Sequence, residues 1–391
     1  MIGNYCVVDT ENSGALRNKA HPFDPRNKIC LVGLRSGSWS AIFDIEYSIH
    51  PYADNLRAIG EHLRKYSLLV GFNIKYDLHW LRRYNIPLDG IKVWDCQLAE
   101  FVLSNQTNQY PSLGESCALR GLAQKKDTLQ EYLGIGLDVS DIPLPELTEY
   151  LEGDLKSTEE LFLIQEKLLK DAGLYNLFRL QCQDLLVLTD MEYNGMKYDI
   201  DQSLQLAKEC SDEERKISES LSQYLPVEIA AHFNWNSGDH LSALLYGGNI
   251  RFDYKVPNGT YKSGVKVGQV KYSWKYIEYE FQRLVEPLKG SELKKDGFFG
   301  TSEDVLKGLK AKGKAKQIID ASLKLSELSK LRGTYYEGIP KKFEEYGWED
   351  NLVHGQLNQC VAVTGRLSSS NPNLQNNPSE SKECFVSRYV N

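Results

Sequence analysis

Asn4-Tyr5-Cys6-Val7-Val8-Asp9-Thr10-Glu11 runs apolar and β-branched, then turns acidic at its end. Residues of this kind suit a pleated, buried surface, so Asn4 to Thr10 reads as a strand of a domain core. Side chains alternate along a strand, which sets Asp9 and Glu11 on one side, where both carboxylates can face one metal site. Taken singly, a D-x-E triplet says little, because acidic residues often end strands. Ile29 to Arg35 and Trp39 to Ile45 read as two further strands with Gly37 turning between them. Leu68 to Phe72 is a fourth apolar run, and helical periodicity follows over Tyr52 to Tyr66, Asp77 to Tyr84, Gln97 to Leu103 and Leu147 to Asp171. Strands first, then strands alternating with helices, predict an α/β domain with a mixed sheet.

A helix over Tyr175 to Tyr193 should stop at Asn194-Gly195, and the first domain boundary is expected near Ala172-Gly173. Beyond it, Gln202 to Leu225 and Ser302 to Tyr336 read as helices. Between them, residues 247–300 repeat Gly, Lys and Tyr with short alternating pieces such as Lys266 to Tyr272, the mark of a small insertion. With 391 residues the chain has room for two or three cores. Its 41% hydrophobic and 25% charged content is that of a globular protein. No apolar stretch reaches membrane-spanning length and Met1-Ile2-Gly3-Asn4 lacks a basic leader, so no membrane partner and a cytoplasmic location are expected. Eight scattered cysteines without a CxxC pair point away from zinc and disulfides.

Net charge is −7, yet it is unevenly spread. Residues 1–246 hold 23 basic and 36 acidic side chains, whereas residues 247–391 hold 23 and 17. The later part thus has the sign of a phosphate-binding surface, and the earlier part the sign of a domain that gathers carboxylates around cations.

Two further segments join Asp9-Thr10-Glu11 in order. Asn73-Ile74-Lys75-Tyr76-Asp77 follows a short strand and opens a helix, and Tyr150-Leu151-Glu152-Gly153-Asp154 sits on the long helix with Tyr150 and Asp154 one turn apart. Together the three resemble the motifs of the DEDD exonucleases, in the subclass that uses tyrosine. The resemblance implies a ribonuclease H-like fold and 3′–5′ hydrolysis of DNA with two ions of Mg²⁺ (or Mn²⁺), about 3.5–4 Å apart. It places Asp9, Glu11 and Asp154 around the ion that activates water, with Asp9 bridging to the second and Asp77 supporting that second ion through its water shell. Tyr150 would orient the attacking water and Asn73 the strand. Asp95, in Val93-Trp94-Asp95, resembles a recurring family position, and a structural role is equally open.

Thr364-Gly365-Arg366-Leu367-Ser368-Ser369-Ser370-Asn371-Pro372-Asn373-Leu374-Gln375 resembles the primer–template motif of family A DNA polymerases. Met191 to Asp199 resembles the segment that opens their polymerase region, and Leu328-Ser329-Lys330-Leu331-Arg332-Gly333-Thr334-Tyr335 the end of their thumb helix. The implied contacts are Lys330 and Arg332 to phosphates, Arg366 in the minor groove at the primer end, and Ser368, Asn371 and Gln375 to backbone or template. A solvated basic helix face is the plain alternative for each lysine and arginine taken singly, as it is for the cluster Lys307, Lys310, Lys312, Lys314 and Lys316. The expected organisation is an α/β ribonuclease H-like exonuclease domain over 1–172, with a mixed sheet and flanking helices. A mainly α thumb follows over 173–350, carrying the 247–300 insertion, then a short β palm fragment over 351–391.

Partners implied are DNA, as a single-stranded 3′ end and as primer–template duplex, with 247–300 as a docking place for a processivity factor. No palm aspartate motif follows Gln375, so synthesis is not expected from this chain alone. A second polypeptide carrying palm and fingers is then expected, the alternatives being a free-standing exonuclease or an inactive DNA-binding scaffold. An exonuclease starting almost at Met1 points to a phage or phage-derived source.

Overall fold

The computed structural model describes residues 4–14, 21–47, 53–123 and 128–389. Its contacts group the chain into two compact units, one of residues 1–200 with 339–391, the other of residues 201–338. The first unit is built on strands β1 (Tyr5–Ser13), β2 (Lys28–Ser36), β3 (Trp39–Asp44), β4 (Leu68–Gly71) and β5 (Lys92–Asp95). Helices α1 (Ala53–Leu63), α2 (Ile74–Arg83), α3 (Cys96–Leu103), α4 (Leu113–Leu119), α5 (Thr128–Ile135), α6 (Leu144–Asp171) and α7 (Tyr175–Asn194) accompany them. Strand order is β3-β2-β1-β4-β5, with β1–β2 and β2–β3 antiparallel and β1–β4 and β4–β5 parallel. This is the mixed sheet expected from strands that first meander and then alternate with helices.

The central strand β1 is buried at every residue except Tyr5 and Asp9, which are half-buried. That pattern follows from helices covering both faces of the sheet. Helix α6 buries Leu147, Leu151 and Leu155, spaced four apart, so they form one apolar stripe. It lies close to the sheet because β2 has a glycine under it. A Cβ at Gly33 would stand 2.6 Å from Leu155 Cδ1 and 3.0 Å from Leu151 Cγ. Trp80, Trp94, Phe101, Phe162 and Phe178 fill the rest of this core.

Residues 339–391 return to the same unit. Strand β6 (Met196–Lys197) pairs with β9 (Leu352–Val353), helix α13 (Gly338–Tyr346) packs Phe343 near Tyr198, and β10 (Gln356–Asn358) pairs with β11 (Ser368–Ser370). The second unit contains α8 (Ile200–Ser222), α9 (Val227–Ala230), α10 (Gly238–Tyr246), α11 (Glu303–Gly308) and α12 (Gly313–Lys330). It also contains a long hairpin of β7 (Gly248–Thr260) and β8 (Val270–Phe281). Its core joins Leu221, Phe233, Leu244 and Leu245 to Ile318 and Leu325, with Ile250, Phe252 and Phe281 from the hairpin base.

Several expectations are corrected. The division into 1–172, 173–350 and 351–391 is not how contacts group, because α7 packs back on β5 and α2 and the chain end rejoins the sheet domain. Ser302 to Tyr336 is not one helix. Gly308 ends α11, Gly313 stands at φ 54°, and the last turn of α12 widens into a π-helical stretch over Leu331–Tyr336. Lys266 to Tyr272 is not an independent piece, since it straddles the hairpin tip and the start of β8. Strand β5 escapes periodicity because four residues carry too short a pattern. Among the described residues, no helix is long and apolar enough to cross a membrane.

Candidate functional site

Asp9, Glu11 and Asp154 each bring a ligand oxygen within 4.8 Å of the other two. In the β1–β2 register Asp9 lies opposite Gly33 and Glu11 opposite Leu31, and the ladder shifts between Glu11 and Asn12. The glycine that admits α6 is therefore the cross-strand neighbour of Asp9, and α6 delivers Asp154 from above. Glu11 and Asp154 are both 7% exposed. Like charges gathered at this depth raise one another's cost of ionisation unless a cation or proton compensates. An all-oxygen, all-carboxylate donor set is the kind hard divalent cations take. Gly33→Val should disturb this arrangement at its root. Two methyl groups would push against Leu151 and Leu155, costing about 1–3 kcal/mol as overpacking. Both the melting temperature and the affinity for Mg²⁺, read by calorimetry, should fall together; unchanged values would show α6 free to shift.

Asp77 is not one of these three and meets β1 through Thr10, the residue between Asp9 and Glu11. It sits in the first turn of α2, is 3% exposed, and accepts a hydrogen bond from Thr10 Oγ1 at 2.7 Å. Burial pushes its carboxyl up to about 7 against the hydrogen bonds from Thr10. Asn73 precedes α2 in the left-handed conformation at φ 57°, with its side chain exposed and making no capping bond. Its backbone N–H donates to Asp95 Oδ1 at 3.1 Å, and the same oxygen caps α3 through Gln97 N and Leu98 N. Asp95 thus clamps two helix starts, the structural role of the two left open. Tyr150 is half-buried on α6, one turn before Asp154.

Sequence reading missed a second polar cluster in this unit. Glu192, at the end of α7, is 5% exposed and accepts from Lys75 Nζ, from the Leu357 backbone N–H and from His79 Nε2, the last at 2.8 Å. Lys75 Nζ also donates to the Leu357 carbonyl. Burial holds His79 neutral, so the ion pair proper is Lys75–Glu192. His354 Nδ1 bonds the Glu192 carbonyl at 2.8 Å and its ring stacks on Phe23 at 4.1 Å. Helix α2, which carries Asp77, is thereby tied to the hairpin β10–β11. Lys75 lies inside the motif quoted above, but nothing local announces a partner more than a hundred residues away.

Burial, with like-charge neighbours second, drives His21 down to about 4; burial does the same for His354. For a base whose folded pKa lies below the unfolded value near 6.5, the unfolded chain binds the extra proton. The contribution of these rings is complete above about pH 6.5 and is lost as pH falls toward about 4. These rings pull the melting temperature down between pH 7 and 4.5 while the raised carboxyl of Asp77 pushes it up, so His354→Gln should shift the profile upward at pH 4.5 relative to wild type; an unaltered difference between the two pH values would contradict it.

The polymerase-like motif lies on β11 and the turns around it. Ser368 pairs with Asn358 and is half-buried, while Arg366 and Gln375 are exposed. Asn371 adopts φ 54° and donates to Gln356 Oε1 at 3.3 Å. In the second unit Lys330 is exposed at the end of α12. Arg332 is engaged within its own unit. Its guanidinium forks onto Glu214 at 3.0 and 3.1 Å and reaches Glu337 at 2.9 Å, which raises its already high pKa. In the basic cluster, Lys307 pairs with Glu303 and Lys316 with Asp320, while Lys310 and Lys312 stand exposed.

Comparison with known proteins falls into line with these motifs. Residues 278–389 match the model of DNA polymerase family A. DNA polymerase I of Synechocystis is 28% identical over 313 residues, covering 78% of this chain and 26% of the relative. Those of Chloroflexus aurantiacus and Bacillus subtilis are 26% and 27% identical over 326 and 325 residues, each aligned over 29% of its own length. The chain spans less than a third of the length of these relatives. In fold it is similar to the polymerase domain of M. smegmatis Pol1, solved with DNA primer-template and dNTP, with a TM-score of 0.67 at 16% identity, covering 98% of this chain and 55% of that one. Residues 278–389 are thus similar to the family A DNA polymerases, and the likeness to DNA polymerase I relatives extends over about four fifths of the chain.

Proposed function

We propose that the sheet domain is a metal-dependent 3′–5′ exonuclease of ribonuclease H-like fold, serving DNA replication by shortening 3′ ends. The observation that carries this reading is the convergence of Asp9, Glu11 and Asp154 within 4.8 Å, two of them buried. Divalent ions such as Mg²⁺ held by these carboxylates supply a nucleophilic water at neutral pH and stabilise charge on the leaving oxygen.

The chain's own groups do the rest. Tyr150, one turn from Asp154, offers a phenol that donates to or accepts from a water beside the carboxylates. Asp77 is held through Thr10, the residue between Asp9 and Glu11, so its carboxyl is fixed relative to the strand that carries them. Asn73 leaves its amide exposed at the start of α2, available to an incoming strand. Arg366, Ser368, Asn371 and Gln375 are the polar groups offered to a primer–template duplex, and Lys330 offers a phosphate contact in the other unit. A 5′-labelled primer annealed to a longer template tests the reading. Stepwise shortening with Mg²⁺ and none in chelator is expected; an intact primer with every divalent ion tried would sink it.

A further inference from the structure

Neither the carboxylate site nor the β10–β11 hairpin uses the ribbon β7–β8, a pair of strands 13 and 12 residues long. Its base is anchored, since Ile250, Phe252 and Phe281 are buried against Phe233 and the second unit's core. Its outer half is not. Tyr272, Trp274 and Tyr276 are 53%, 67% and 56% exposed, and at alternate positions of β8 they share one face. Successive rings on that face stand about 7 Å apart along the strand. Tyr254, on the other face, is already occupied by stacking on His232 at 4.2 Å. Three adjacent large rings, each more than half exposed, are a costly surface for a protein to keep without use.

Positive charge predominates around the outer rings, while Asp253 and Glu278 lie beside Tyr276 toward the base. Residues 254–276 hold five lysines, Lys255, Lys262, Lys266, Lys271 and Lys275, with no arginine and no carboxylate. Lys255 lies across from Trp274 with its ammonium 4.9 Å from the ring centre. Both acids are answered by Arg251, which pairs with Asp253, lies across from Glu278 and covers Tyr276 with its guanidinium at 4.0 Å. Protein interfaces share the aromatic enrichment but favour arginine and are depleted in lysine. Rings interleaved with an excess of lysines instead match a polyanion that carries flat bases. Duplex DNA keeps its bases stacked inside, out of reach of a ring on a ribbon face, so an unpaired strand is favoured.

We propose that the outer half of the β7–β8 ribbon binds single-stranded DNA, with bases stacking on Tyr272, Trp274 and Tyr276 and lysines neutralising its phosphates. The site lies wholly in the second unit and does not rest on the exonuclease reading, so loss of either leaves the other standing.

The test uses the full chain in chelator, with end-labelled oligo-dT and a blunt duplex as probes and fluorescence anisotropy as readout. The triple variant Tyr272→Ala, Trp274→Ala, Tyr276→Ala should weaken oligo-dT binding at least about tenfold, since each lost base–ring stack carries roughly that factor. Its affinity for the blunt duplex should hold. Lys255→Gln, Lys271→Gln, Lys275→Gln should lower the slope of log affinity on log salt by about 2 for the single strand. All six side chains are exposed, so melting temperatures should stay put. Unchanged oligo-dT affinity in both variants would overturn the proposal and leave the rings as a face for a protein partner. An equal loss toward duplex and single strand in the aromatic variant would also overturn it.

Discussion

Asp9→Ala is expected to yield a folded chain whose 3′-shortening of a labelled primer falls at least about a thousand-fold. That factor corresponds to several kcal/mol of charge stabilisation lost with the cation and its bound water. Asp9 is the right residue to remove because it belongs to the three-carboxylate group yet is only half-buried on the central strand, so its loss leaves no large cavity. The effect on stability should run opposite to the effect on activity. Without metal, three clustered carboxylates repel, and deleting one relieves the other two. In chelator the variant should therefore melt at or slightly above the wild-type temperature. Added Mg²⁺ should raise the wild-type melting temperature by ligand linkage and leave the variant unmoved. A variant that still shortened primers, or still gained stability from Mg²⁺, would place the site elsewhere.

Strand alternation gave Asp9 and Glu11 a common side, and helical spacing gave Tyr150 and Asp154 a common face, because both are local periods written within a few residues. Convergence of Asp154 on Asp9 and Glu11 was not local. It depends on Gly33 admitting α6 to the sheet, and a glycine in an apolar strand looks the same whether or not a helix lies over it. The same limit explains Arg332. Its place beside Lys330 suggested phosphate, yet its fork closes on Glu214, 118 residues earlier in the chain. The 247–300 segment was legible in its composition of Gly, Lys and Tyr but not in its form, since a glycine-rich tip blurs the alternation of the two long strands it joins. Domain limits failed for a related reason: a helix stop at Gly173 marks a turn, and only tertiary contact shows that α7 folds back against β5.

Glu192→Ala is expected to be the most damaging single change to the stability of the first unit. The carboxylate is 5% exposed and accepts from a lysine ammonium, a histidine ring N–H and a backbone N–H, so its removal orphans three donors at once. Lys75, whose side chain is 16% exposed, would keep its charge with only the Leu357 carbonyl to answer it. Breaking a buried pair from one side costs about 3–5 kcal/mol, far more than the pair contributes net. For a unit of this size that corresponds to a fall in melting temperature of roughly 10 °C. Glu192→Gln should fall between wild type and alanine, since it keeps the shape and one acceptor but cannot neutralise Lys75. The double variant Glu192→Leu, Lys75→Met should recover much of the loss, because removing both charges ends the penalty of leaving one uncompensated. Local exchange should follow the same order. With Glu192 gone, the Leu357 amide loses its acceptor, and hydrogen exchange across Gln356–Asn358 should quicken before that of β1. Equal protection in wild type and Glu192→Ala would mean that the sheet domain holds the β10–β11 hairpin without this link.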